Sequence, residues 1–254
     1  MRHCLSIFFI FACLAQIAAE ETKTVRIGAS FGASYYGYRE ETDIPLNRKL
    51  ATFSFIVDGN VEKNKFLYSF NTGISAGKNK PVEILSDDDN FTFNQRESTL
   101  IRFFLENAFD CRLWGNEKLP GYLGGALRLD IYYCYLKQTI YYSTTGLLSL
   151  NLHVTQKWII NEKNNFALSV GLPFFGYGIR PPYYGLQYSH IDLEQKIISF
   201  HNYFAIFADL KYQFKFNRLL SIHSILGFEF SRIDFPQPRR DAASRLNIGL
   251  SFTF

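Results

Sequence analysis

Val25-Arg-Ile-Gly-Ala-Ser-Phe-Gly-Ala-Ser-Tyr35 decides how this chain is read. Val25, Ile27, Ala29, Phe31, Ala33 and Tyr35 share one parity, and Arg26, Gly28, Ser30, Gly32 and Ser34 share the other. Side chains of a strand point alternately to its two faces, so a repeat of two sustained over this length is strand and not helix. The alternation stops at Tyr36-Gly37-Tyr38, where a first long connection is expected.

Working outward, the same rhythm recurs nine times. The apolar parity holds Ala51, Phe53, Phe55 and Val57; then Phe66, Tyr68, Phe70 and Ile74; then Ile101, Phe103, Leu105, Phe109 and Cys111; then Leu123, Leu127, Leu129, Ile131 and Tyr133. It continues through Leu148, Leu150, Leu152 and Val154; Phe166, Leu168, Val170 and Leu172; Phe200, Phe204, Ile206, Leu210 and Tyr212; and Leu220, Ile222, Leu226 and Phe228. It closes on Leu246, Ile248, Leu250, Phe252 and Phe254. Residues 97–108 also fit an amphipathic helix through Leu100, Ile101, Phe104 and Ala108, but the alternation running on through Cys111 and Leu113 favours strand.

The connections alternate in length. Short ones are expected near Asp58–Asn64, Trp114–Pro120, Asn161–Asn165 and Phe216–Asn217. Long ones are expected near Arg39–Asn47, Gly77–Arg96, Gln138–Thr145, Gly178–Gln195 and Ser231–Ala243. Tight turns at one end and long loops at the other describe an up-and-down membrane barrel. A soluble sandwich or lipocalin-like barrel would carry its charges outside. Here the apolar parity is nearly unbroken, while the other parity carries Arg, Asp, Glu, His and Lys, which do not fill a dry core unless paired. Lipid outside and a polar interior fit that inversion, and closure leaves no strand edge for lipid to meet. The expected fold is therefore all-β: a transmembrane antiparallel barrel of about ten strands, each of roughly 10–12 residues.

Residues 1–19 read as a secretory signal peptide. Arg2 gives a basic start, Leu5 to Ala15 an apolar core, and Ala18-Ala19 a small-residue cleavage site. The barrel domain is then 20–254. Removing Arg2 from 27 basic residues leaves 26 against 23 acidic, a net charge of about +3, too mild to argue for nucleic acid. Apolar residues are 47% and aromatic residues 17% of the chain, with 26 Phe and 16 Tyr, too much apolar surface for a disordered chain. Of four Cys, Cys4 and Cys13 leave with the leader. Cys111 and Cys134 fall at different heights and on opposite faces, so two free thiols are expected rather than a bridge.

The last ten residues, Arg245-Leu-Asn-Ile-Gly-Leu-Ser-Phe-Thr-Phe254, resemble the C-terminal strand signal of bacterial outer-membrane β-barrel proteins. That resemblance implies export through the periplasm, an outer-membrane location and contact with lipid and lipopolysaccharide. It also implies recognition of Leu246, Ile248, Leu250, Phe252 and Phe254 by the barrel assembly machinery. A monomer is expected.

By parity the interior holds Arg26, Arg102, Glu106, Asp110, Arg112, Arg128, Asp130, His153, Lys157, His201, Asp209, Lys211, His223 and Glu229. A turn near Glu117-Lys118 sets Glu106 opposite Arg128, and a turn near Phe216 sets Asp209 or Lys211 opposite His223. In so narrow a barrel, a network of satisfied charges filling the lumen is the favoured reading over a permeation path. In the loops, Asp87, Asp88 and Asp89 with His190 and Asp192 have residue types that hold and activate a water. Their placement resembles omptin proteases, although the pair runs His-Ile-Asp in reverse order and the chain is shorter than that family. Ser199 and His201 share a parity near an outer strand end, as a lipid-modifying barrel would need. Pro173 marks a bulge or irregular strand end, and Arg180 with Tyr183 and Tyr184 has the chemistry to meet lipopolysaccharide phosphates. No phosphate loop, nucleotide fingerprint, cofactor motif or metal-spaced Cys/His cluster is present. The expected role is structural, adhesive or scaffolding at the surface. The alternatives are a narrow channel for small solutes and an outer-membrane hydrolase.

Overall fold

The computed structural model describes residues 24–40, 46–79, 83–85, 92–94, 98–136, 142–180, 194–234 and 238–254. Thirteen strands run β1 (Thr24–Glu40), β2 (Leu46–Lys63), β3 (Phe66–Asn79), β4 (Glu83–Leu85), β5 (Thr92–Asn94), β6 (Ser98–Trp114) and β7 (Gly121–Leu136). They continue as β8 (Tyr142–Ile159), β9 (Asn164–Arg180), β10 (Glu194–Ser199), β11 (Tyr203–Lys215), β12 (Leu220–Asp234) and β13 (Pro238–Thr253). β4 and β5 form a separate small hairpin. The remaining strands close into an antiparallel ring, β9-β11-β12-β13-β1-β2-β3-β6-β7-β8 and back to β9, with β10 extending β11 alongside β9. Ten strand positions therefore surround the lumen. The segment read with both helical and strand periodicity is strand: β6 pairs β3 and β7 along its length.

The seam between first and last strands is held at its end by two backbone bonds: Val25 N–H donates to Phe254 O at 3.1 Å, and Phe254 N–H to Val25 O at 2.8 Å. Four turns lie at this same end, and each uses an asparagine. Asn64 takes a positive φ of 54°, which Asn tolerates better than most residues. Asn116, Asn161 and Asn217 instead turn their side chains back on the chain. Asn116 Oδ1 accepts from the Lys118 and Leu119 amides, Asn161 Oδ1 from Lys163 and Asn164, and Asn217 Oδ1 from Leu219 and Leu220, at 2.7–3.0 Å.

The barrel strands are longer than expected, 13 to 18 residues, where crossing the bilayer needs about 9–11. The barrel therefore projects beyond the lipid, and several residues read as loop are strand. Asp58 lies within β2, not in a turn. Only residues 235–237 separate β12 from β13, so the long connection expected at Ser231–Ala243 is mostly ladder. There Ser231, Ile233, Arg239 and Asp241 are buried inside while the outward row turns charged at Arg232 and Arg240, so the apolar alternation fades although the hydrogen bonding continues.

The apolar parity faces outward. Phe31, Phe53, Phe228, Ile248 and Phe254 are all more than half exposed, on the face that meets lipid in such barrels. The inward face is not uniformly polar. At the end away from the termini, Tyr36, Leu50, Leu100, Tyr132, Leu147, Ile198, Tyr203, Phe207 and Ile233 pack into one buried apolar cluster inside the ring.

Pro173 sits at a break in register. Leu150 pairs with Phe175 and Asn151 with Pro173, which leaves Phe174 as an extra residue, and Phe174 and Phe175 both face out. On the other side of β9, β10 pairs as far as Phe175 and β11 resumes at Gly171, so residues 200–206 stand against 172–174. Cys111 is a free thiol. Its backbone pairs opposite Leu123, eleven residues along β7 from Cys134, a separation of about 36 Å that no disulfide spans.

Candidate functional site

The charged residues of the inward parity meet in tiers across the lumen. In the middle tier, Glu106 on β6 lies opposite Arg128 on β7, and the two pair at 3.2 Å. Arg128 also pairs with Asp130 at 2.7 Å and with Glu229 at 3.2 Å. Arg102 holds Asp130 at 2.5 Å and both Glu229 oxygens at 2.6 and 2.7 Å. Arg102 is on β6 and Glu229 on β12, five positions apart in a ring of ten, so this bond runs straight across the barrel. The guanidinium of Arg128 lies 3.8 Å over the Phe207 ring, that of Arg102 is 5.0 Å from Tyr132, and that of Arg245 is 4.9 Å from Phe104. Each cation is thus held by carboxylates or by an aromatic face.

Toward the termini, a second tier gathers on Asp58. Arg26 and Lys211 both donate to its carboxylate, and His223 Nε2 stands 3.3 Å from Oδ1. His153 Nδ1 is 2.7 Å from Asp110 Oδ2. Asp209 accepts from Arg245 at 2.6 and 2.7 Å and from Asn71 Nδ2 at 3.4 Å, and this last bond also joins strands five positions apart. Nearest the turns, Lys157 pairs with Glu62 at 2.6 Å, and Tyr122 donates to the same carboxylate. Above the middle tier, Arg239 pairs with Asp241 at 2.7 Å and donates to Tyr36 Oη at 2.8 Å.

Little space is left between these contacts. The cavity lined by Arg102, Glu106, Arg128 and Phe207 holds about 40 Å³, and that lined by Asp58, His153 and Lys211 about 110 Å³. At about 10–15 Å³ of such volume per water, the first admits a few waters and no solute.

Two expected pairings differ. His223 stands opposite Gln213 in register, not opposite Asp209 or Lys211, because the β11–β12 turn is centred between Phe216 and Leu219. It meets Lys211 only through Asp58, a residue read as part of a turn. His201 is not in the lumen. β10 ends at Ser199, the chain turns with Asn202 N–H bonding Ser199 O at 3.0 Å, and His201 is exposed on that turn, so its shared parity with Ser199 is lost. Arg180 is buried, 1% exposed, and faces inward rather than toward lipopolysaccharide. Asp87, Asp89, His190 and Asp192 lie outside the described residues. Asp58, Glu62, Arg239, Asp241 and Arg245 were not among the inward residues read from the sequence. Extending the parity of Thr52 and Ser54 one step past Ile56 would have found Asp58. Among the described residues, no group of three or more His, Cys, Asp or Glu side chains is placed to hold a metal ion.

No protein-family model and no curated protein matches the sequence. Solved structures do match in shape. The outer membrane protease OmpT from Escherichia coli superposes with a TM-score of 0.60 at 6% identity, over 93% of this chain and 98% of that one. The Neisserial surface protein NspA gives 0.39 at 10% identity over 92% and 100%. The translocator domain of the autotransporter NalP from Neisseria meningitidis gives 0.40 at 10% over 98% and 96%. At such identities the likeness is one of fold, and the protease activity named for OmpT does not pass to this chain. A closed ring of ten strands with lipid-facing aromatics and a charged interior leaves one conclusion: the chain has the fold of the bacterial outer-membrane β-barrel proteins.

Proposed function

We propose that this protein is a sealed barrel of the outer membrane whose role is at the cell surface, structural, adhesive or scaffolding, and carried by the loops at the end away from the termini. The observation that supports this reading is the Arg102–Glu229 bond across the full width of the lumen, beneath an apolar cluster and above a second tier on Asp58. A permeating ion would have to separate buried ion pairs and then cross an apolar layer. Function then falls to what the barrel displays.

Planar-bilayer recording of the refolded protein tests the sealed lumen, and no conductance steps are expected. Steps of reproducible size would overturn it in favour of a narrow channel. Surface display is tested separately. In a Cys111→Ser, Cys134→Ser background, Tyr184→Cys should react with a membrane-impermeant maleimide on intact cells, and Lys118→Cys, in a short turn, should not. The reverse pattern would place the wrong end of the barrel outside.

A further inference from the structure

On the lipid side of β13 the outward residues change character in sequence. Phe252, Leu250, Ile248 and Leu246 are bulky and half exposed; Ser244 and Ala242 follow, then Arg240. Register sets Ser244 between Tyr35 and Phe228, Ala242 between Gly37 and Phe230, and Arg240 beside Arg232. Gly37 in turn pairs with Lys49. Small residues flanked by rings leave a groove of about 690 Å³ on the outer wall, floored by Gly37, Ala242 and Ser244 and edged by Lys49 and Arg240.

Its height in the membrane follows from the strand. Phe252 to Ala242 is ten residues, about 34 Å of antiparallel strand. At a tilt of about 40° that spans about 26 Å, the height of the apolar band of such barrels, about 25 Å. The groove therefore lies in the upper part of the hydrocarbon layer, and Arg240 and Lys49 stand at its boundary with the headgroups. Arg232 adds a third cation at the same level, shared with Asp234 at 2.9 Å. Basic residues directly over an apolar depression match a ligand that is anionic at one end and multiply acylated at the other.

We propose that this groove on β12, β13 and β1 is a binding site for lipid A, with acyl chains lying on the small-residue floor and a phosphate held by Arg240 and Lys49. The site rests on the reading that this end of the barrel faces outward, which the maleimide experiment tests independently. Along β13 the rows below carry bulky side chains, so on this strand the small outward residues are confined to the stretch directly under Arg240.

The test is native mass spectrometry of the refolded barrel in detergent, offered lipid A, phosphatidylglycerol or phosphatidylcholine. Lipid A is expected to be retained one to one, at least tenfold better than either phospholipid. Lys49→Ala with Arg240→Ala should lower that retention tenfold or more. Ala242→Phe, which fills the floor from the lipid side, should lower it while the folded barrel keeps its heat-modifiable gel mobility. Undiminished retention in both variants overturns the site. Equal retention of phosphatidylglycerol overturns its assignment to a multiply acylated glycolipid.

Discussion

Replacing Arg128 by Met breaks the middle tier at its most buried cation. The native tier sets Arg102 and Arg128 against Glu106, Asp130 and Glu229, and the Arg128 side chain is 2% exposed. Met keeps a straight aliphatic stem but loses the guanidinium, and with it the contact at 3.8 Å over the Phe207 ring, so charge and ring contact are removed together. It leaves Asp130 and Glu229 sharing Arg102. Glu106 loses its one ion pair among the described residues. Removing one partner of a buried ion pair costs about 3–5 kcal/mol, because the partners left behind are neither hydrated nor paired. At about 1.4 kcal/mol per tenfold, the unfolding constant should rise by roughly two to three and a half orders of magnitude. Urea unfolding of the refolded barrel in lipid vesicles, followed by the fluorescence of Trp114 and Trp158, reads this directly. Adding Glu106→Gln removes one stranded charge and should return at least about 1 kcal/mol, well outside the roughly 0.5 kcal/mol scatter of independent sites. A loss under about 1 kcal/mol for the single variant, or a strictly additive cycle, would refute the claim that these charges are dry and mutually compensated.

Other outcomes follow from the backbone. A Cβ on Gly32 would stand 1.9 Å from Leu246 O across the closing seam, whereas one on Gly146 meets nothing within 4 Å. Gly32→Ala should therefore cost about 1–3 kcal/mol and weaken the compact unheated gel band, with Gly146→Ala unchanged; equal behaviour of the two would count against the seam geometry. Deleting Phe254 removes both terminal seam bonds to Val25 and should lower the yield of folded barrel severalfold in refolding into vesicles; an unchanged yield would show that the seam does not depend on them. With Cys111 free and far from Cys134 along β7, reducing and non-reducing gels should show one mobility, and a shift on reduction would contradict the register.

The wall of this barrel was legible because lipid imposes a local rule. Each residue between the interfaces must be apolar if it points out, and parity reads that residue by residue from Val25 to Phe254. The turns were legible too, since Asn116, Asn161 and Asn217 are the side chains a tight reversal uses. Two things were not. Toward the upper strand ends the outward row turns charged at Arg232 and Arg240 while the inward row mixes polar and apolar residues, so Asp241 and Arg239, both buried, looked like loop although their ladder continues. Partners across the lumen depend on strand number, tilt and stagger together. Asp58 and Lys211 are 153 residues apart, and no local pattern brings them together.

In the proposed sealed barrel the interior is closed by two layers with different physics, and this explains why the parity rule misjudged it. A polar parity is needed only where the lumen holds charges or water. Above the ionic tiers the strands still face inward, but Leu50, Leu100, Leu147, Ile198 and Ile233 meet one another there and need no hydrogen-bond partners. Tyr36 and Tyr132 join the layers, with ring centroids 5.9 Å apart in the apolar cluster while their hydroxyls reach Arg239 and Glu229. The two seals are in series. Stripping charge from the middle tier removes cohesion but leaves the apolar layer closed, so Arg128→Met should lose stability without gaining conductance. A channel would need both layers opened together, which no single substitution in either one accomplishes.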